Sequence, residues 1–180
     1  MTSKSDQGLK LMAESRQDLE VISAFLQDAA VKVADLAWLP DQHRFAAVLN
    51  RYRWEREAPS GNGGGRKGGR GARQSERVRA GLRFEGVLKV SYQNIPRQSP
   101  DHVLGLLTIE VEDGDDGAGQ LTLAFSGYAS IRLEVECIEA YLEDLTRPWR
   151  ALGKPDHGPD NAVPDHPIPD NAIDEAGSDA

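Results

Sequence analysis

The chain has 180 residues, 39% of them hydrophobic, with one cysteine and a formal net charge of −8, which suits one domain and excludes an intramolecular disulfide framework. No run approaches the roughly 18 apolar residues that a membrane-spanning helix needs, and residues 1–7 lack the apolar core of a secretory signal, so a cytoplasmic protein away from membranes is expected. The charge is uneven: residues 151–180 hold seven Asp or Glu against Lys154 alone, a net of −6, leaving about −2 on residues 1–150, so bulk charge argues neither for nor against nucleic acid.

Along the chain, Leu9 and Leu11 mark a short strand. Ser15-Arg-Gln-Asp18 follows the pattern of a capping box with Asp in place of Glu or Gln. It opens a helix whose apolar face is Leu19, Val21, Ile22, Phe25 and Leu26. Residues 29–39 and 44–55 read as two strands joined by the turn Pro40-Asp-Gln-His43, with Trp38, Phe45, Tyr52 and Trp54 as the aromatic bulk of the hairpin. Residues 59–75 hold seven glycines within positions 61–71 and no bulky apolar side chain, the composition of a disordered loop.

The longest alternation follows. Val78, Ala80, Leu82, Phe84, Gly86, Leu88, Val90 and Tyr92 share one parity, and Arg77, Arg79, Arg83, Glu85 and Lys89 the other. Strands usually have about five or six residues, so a break near Gly86 is expected. Strands at 103–111 and 120–126 come next, linked by the acidic segment 112–119, and a turn at Gly127-Tyr128 leads to Ile131, Leu133 and Val135 in strand alternation. From Cys137 the apolar positions become Cys137, Ile138, Tyr141, Leu142, Leu145 and Trp149, the spacing of an amphipathic helix. Residues 153–180 repeat Pro-Asp at 155, 159, 164 and 169 and read as a disordered acidic tail.

The order predicts an α+β domain over residues 8–150. Its mainly antiparallel sheet of about seven strands is curled, or rolled like a barrel, with an N-terminal helix and a closing C-terminal helix. Strand count and closing helix match pleckstrin-homology-like domains, a fold analogy that transfers no function.

The feature with a mechanism attached is basic. Arg66, Lys67, Arg70, Arg73, Arg77, Arg79 and Arg83 place seven positive charges in eighteen residues against Glu76 alone. Such tracts bind RNA, single strands or other anions through phosphate neutralisation and guanidinium stacking. Against this, no Phe, Tyr or Trp lies between 55 and 83, and the competing reading is a solvated variable loop. Glu134, Glu136, Glu139 and Glu143 fall on the polar sides of their elements, where solvent keeps carboxylates ionised rather than splitting them into acid and base. Cys137 reads as a packed small hydrophobe at the strand-to-helix switch rather than an activated thiol. His43 and His102 fall in turns, and His157 and His166 in the tail, so no metal site is pre-organised. Segment 112–119 lacks the closing Glu of a calcium loop, and neither a nucleotide-binding glycine fingerprint nor a nucleophile elbow is present. No cofactor is expected.

Several runs carry a family resemblance: Leu9-Lys-Leu-Met12, Asp18-Leu-Glu-Val-Ile-Ser23, Leu26-Gln-Asp28, Arg44-Phe-Ala-Ala-Val-Leu-Asn-Arg51, Arg79-Ala-Gly-Leu-Arg-Phe84 and Ile131-Arg-Leu-Glu-Val-Glu-Cys-Ile-Glu-Ala140. They resemble an alphaproteobacterial family, domain of unknown function 2948, over residues 8–150. The resemblance implies a bacterial cytoplasmic protein and carries over no activity, ligand or catalytic residue. The expectation is a non-enzymatic domain that binds a protein partner or assembles with itself. The alternatives are nucleic-acid binding through the Arg/Gly-rich loop, and an enzyme with an unrecognised site.

Overall fold

Alternation of apolar and polar side chains runs through most of the chain, and the structure turns most of it into sheet. The computed structural model describes residues 8–56, 75–114 and 117–151. The elements are β1 (Lys10–Ala13), α1 (Arg16–Leu26), β2 (Ala29–Leu39), β3 (Arg44–Tyr52), β4 (Glu76–Phe84), β5 (Val87–Gln93), β6 (Val103–Asp113), β7 (Gly119–Phe125), β8 (Ala129–Val135), β9 (Ala140–Asp144) and β10 (Trp149–Arg150). One sheet of ten strands takes the order β1-β9-β4-β3-β2-β6-β7-β8-β5, and β10 pairs with β4 off this path. Every pairing among the described residues is antiparallel. The path ends at β1 and β5 without joining them, so the sheet is open rather than a closed barrel. Of the loop expected at 59–75 only Ser75 is described, and the tail at 153–180 lies outside the described residues.

Local chemistry sets the boundaries. The Ser15 hydroxyl accepts from the Asp18 N–H at 3.2 Å and donates to the Asp18 carboxylate at 2.7 Å. This caps α1, and that Ser15 bond, helped by the Glu14 N–H, holds Asp18 below the ordinary aspartate pKa. Leu19, Ile22 and Leu26 are buried, whereas Val21 points outward at 49% exposure, because it falls off the helical stripe that the others form. His43 takes a left-handed conformation at φ 47° and closes the turn Pro40–Gln42, giving the expected hairpin of β2 and β3. Trp54 lies in a 3-10 turn, Trp54–Arg56, rather than in a strand.

Gly86, at φ 65°, breaks the long alternation into β4 and β5, as its position anticipated. The two halves part company. β4 sits between β3 and β9, while β5 forms the far edge against β8. The chain crosses between the same regions again where β8 gives way to β9. The crossings lie side by side: the Glu136 N–H donates to the Gly86 carbonyl at 2.9 Å, and the Glu85 N–H donates to the Glu139 carbonyl at 3.0 Å.

The expected closing helix does not form. Residues 140–144 are β9, an interior strand between β1 and β4, with Ala140 and Leu142 buried. Leu142 lies opposite Leu11 on one side and Leu82 on the other. The helical spacing was a coincidence of Ile138 in a turn, Tyr141 on one sheet face, Leu142 on the other and Leu145 beyond the strand. Cys137 is exposed at the bend rather than buried. With ten strands, an open sheet and no terminal helix among the described residues, the pleckstrin-homology analogy is withdrawn.

The inner face makes the core. Leu19, Ile22 and Leu26 of α1 join a cluster with Phe45, Leu49, Leu82, Phe84, Leu106, Leu123, Ile131, Leu133 and Leu142. Full burial of each such side chain contributes about 1.5–3 kcal/mol of transfer free energy. Helix α1 thus lies on the inner side, and the other face of the β1-β9-β4-β3 region is left without a helix among the described residues.

Candidate functional site

Antiparallel partners directly opposite one another project to the same face, so the registers define the outer surface row by row. One row runs Met12, Tyr141, Arg83, Ala46 and Ala37. The next runs Lys10, Glu143, Gly81 and Val48. The parallel inward row of Ala13, Ala140, Phe84 and Phe45 is fully buried, which confirms the polarity of the sheet. Small residues in the middle and longer ones at the rim make a trough of about 410 Å³. Gly81 forms its floor: a side-chain Cβ there would stand 3.5 Å from Leu145 Cδ1. Met12 and Leu145 flank it at 50% and 54% exposure.

Charge surrounds this apolar floor. Lys10 pairs with Glu143 at 2.5 Å, Arg79 with Asp35 at 3.5 Å and Arg83 with Glu85 at 3.3 Å. The Arg83 guanidinium also stacks over the Tyr141 ring at 4.3 Å. Tyr141 donates its hydroxyl to Glu139 at 2.8 Å. That bond, chiefly, raises the Tyr141 pKa above the ordinary tyrosine value, and Arg83 partly opposes it. Arg77 stacks over Tyr52 at 3.9 Å and donates to the Asn50 carbonyl at 3.0 Å.

The basic residues singled out in the sequence are therefore divided. Arg77, Arg79 and Arg83 come together on the outer side of β4, spaced along one strand. Arg66, Lys67, Arg70 and Arg73 lie outside the described residues. The glutamates do not gather. Glu134 pairs with Lys89 at 2.9 Å, Glu143 holds Lys10, and Glu139 holds Tyr141. Glu139 and Glu143 share no helix face because no helix forms there.

On the inner face of the sheet, opposite the trough, a cluster that the sequence reading missed ties three strands together. Arg51 has no exposed surface. Its Nε and Nη2 donate to the two Asp144 oxygens, each at 2.8 Å, and Nη1 and Nη2 donate to Glu55 at 3.1 and 2.9 Å. Nη1 also reaches the Tyr52 carbonyl at 3.0 Å. Asp144 in turn accepts the Leu9 N–H at 2.9 Å, just before β1. Burial lowers the Arg51 pKa, but Asp144 and Glu55 outweigh it and raise the value overall. The available signal was parity: Arg51 continues the inward series Phe45, Ala47 and Leu49.

A wider cleft of about 760 Å³ adjoins this cluster and is lined by Arg53, Glu76, Asp144, Thr146 and Arg147 among others. Its carboxylates are already engaged, Asp144 by Arg51 and Glu76 by Arg53 at 2.8 Å. That is an ion-pair lattice, not a desolvated acid beside a base. Among the described residues, no group of three His, Cys, Asp or Glu side chains is placed to hold a metal ion, and no helix is long and apolar enough to cross a membrane.

Comparison with known proteins yields one match. The model of the family described as "Protein of unknown function (DUF2948)" covers residues 9–157, and the chain belongs to that family. No curated protein and no solved structure matches it.

Proposed function

We propose that this member of the DUF2948 family is a non-enzymatic, cytoplasmic protein-binding domain whose outer sheet face, centred on Gly81, receives a protein partner, a second copy of the chain included. The observation that carries this reading is the trough itself, which no helix among the described residues covers. Its floor is low at Gly81, Ala46 and Val48, and half-exposed Met12 and Leu145, the latter packed over Gly81, supply apolar contact. An apolar centre ringed by charge is the anatomy of a protein interface, and the charged rim selects a partner more than it binds one.

The test is a pair of charge insertions. Leu145→Glu and Met12→Glu place a carboxylate in the trough, while Leu88→Glu alters an equally exposed residue on the far edge strand. With folding checked by melting temperature, the trough variants lose association, read as solution mass and as capture from a cell extract, and Leu88→Glu keeps it. A chain that is monomeric at every concentration, and captures nothing that Leu145→Glu fails to capture, would overturn the reading.

Arg77, Arg79 and Arg83 on one face beside Tyr141 favour a second reading, single-stranded nucleic acid lying across β4. It requires binding that weakens steeply with salt and falls when residues 60–75 are deleted. Binding indifferent to either change would retire it.

A further inference from the structure

We propose that β1 is a strap that lifts from the sheet on its own, so that the docking face exists in two forms. What this means for a partner rests on the reading of that face as a docking surface; the lifting itself does not. β1 ends the path of the sheet and pairs with β9 alone. It has four residues, against seven in β5 at the other end. Ala13 is its one fully buried side chain, while Lys10 and Met12 stand exposed. Segments that bury so little apolar surface open below the free energy of global unfolding.

The clasp just before β1 opens without damage to the core. The Leu9 N–H donates to Asp144 Oδ2 at 2.9 Å, but Arg51 holds both Asp144 oxygens, each at 2.8 Å. Releasing Leu9 therefore leaves the buried carboxylate paired, and no charge is stranded. The other end is fixed: Ser15 caps α1, and Leu19, Ile22 and Leu26 hold that helix on the core. β1 thus lifts about Glu14, between a clasp that yields and a helix that does not. With β1 down, Lys10 and Met12 line the trough. With β1 lifted, both leave it and the edge of β9 is bare. A partner seated against Met12 binds the closed form alone and so holds β1 shut.

Strand β9 carries its own readout. The Asp144 N–H donates to the Leu9 carbonyl at 2.9 Å, whereas the Leu145 N–H donates to the Arg79 carbonyl of β4 at 2.7 Å. Backbone alternation then turns the Leu142 and Asp144 amides toward β1, and those of Tyr141 and Glu143 toward β4. Hydrogen exchange of the full chain, followed amide by amide, separates the two ladders. The expected protection of Leu142 and Asp144 is about 100-fold or more below that of Tyr141 and Glu143. Leu9→Pro deletes the clasp donor and leaves Arg51 on Asp144. It lowers the protection of Leu142 and Asp144 about tenfold further and leaves Tyr141 and Glu143 unchanged. Lys10 and Glu143 lie directly opposite each other, with Cα atoms about 4.5–5.5 Å apart, a span that a disulfide bridges. Oxidised Lys10→Cys with Glu143→Cys, in a Cys137→Ser background, pins β1 and brings the four amides to similar protection. Similar protection of all four in the wild-type chain, or a Leu9→Pro change that moves all four alike or none of them, would overturn the proposal. No partner enters this measurement, so its failure and that of the Leu145→Glu association test are told apart.

Discussion

At Arg51 a guanidinium without exposed surface meets two carboxylates, one of them, Asp144, with a side chain only 2% exposed. Such a pair adds little relative to a well-packed apolar substitute, but losing one member strands a charge in the core. Arg51→Met therefore costs about 3–5 kcal/mol, read as a lowered denaturation midpoint, because Asp144 is left uncompensated. Arg51→Met with Asp144→Leu recovers most of that loss. A single substitution costing under about 1 kcal/mol, as for an exposed pair, would show that the Arg51–Asp144 pair is not buried in solution. The parity of β3 made the inward position of Arg51 legible in the sequence. Its partner Asp144, 93 residues away, was not, since nothing local in either segment names the other.

Element by element, legibility followed the clarity of the period. Helix α1, the β2–β3 hairpin and the break at Gly86 were readable because a capping serine, a Pro-Asp turn and a glycine at positive φ each impose a local geometry. The stretch after Cys137 misled because five residues of β9 are too few to separate a period of 2 from one of 3.6. Tyr141 tests the strand directly. Residues two apart share a face in extended chain but not in a helix, so the bond from Tyr141 to Glu139 exists only if this segment is extended. The Tyr141 phenol titrates above the ordinary tyrosine value, and Glu139→Gln lowers its pKa, measured by ultraviolet titration. A raised pKa favours the protonated phenol in the folded state. Its contribution to stability is thus complete below the unfolded tyrosine pKa and disappears as pH rises through the folded one. A Tyr141 pKa indifferent to Glu139→Gln would point back to a helix.

For the whole molecule, alternation announces strands but not neighbours. The antiparallel α+β character was visible in the sequence; the openness of the sheet was not. β4 and β5 look like one strand and end in different parts of the sheet, because the turn at Gly86 and the crossing at 136–139 exchange partners side by side. That exchange gathers β1, β9, β4 and β3 into a face with small residues at its centre, bringing Arg77, Arg79 and Arg83 next to Met12, Tyr141 and Leu145. The arginines stood out in the sequence as charge alone. Their apolar companions come from segments scattered between positions 12 and 145, so the trough had no local signature.

The direct measurement of this face is covalent footprinting of the full chain, alone and in an extract of its own cells. The expected result is protection of Met12, Tyr141 and Leu145 in the extract, with Leu88 and Tyr128 labelled equally in both samples. Equal labelling of Met12 and Leu145 in both, or protection confined to Leu88 and Tyr128, would contradict a docking role for the outer face.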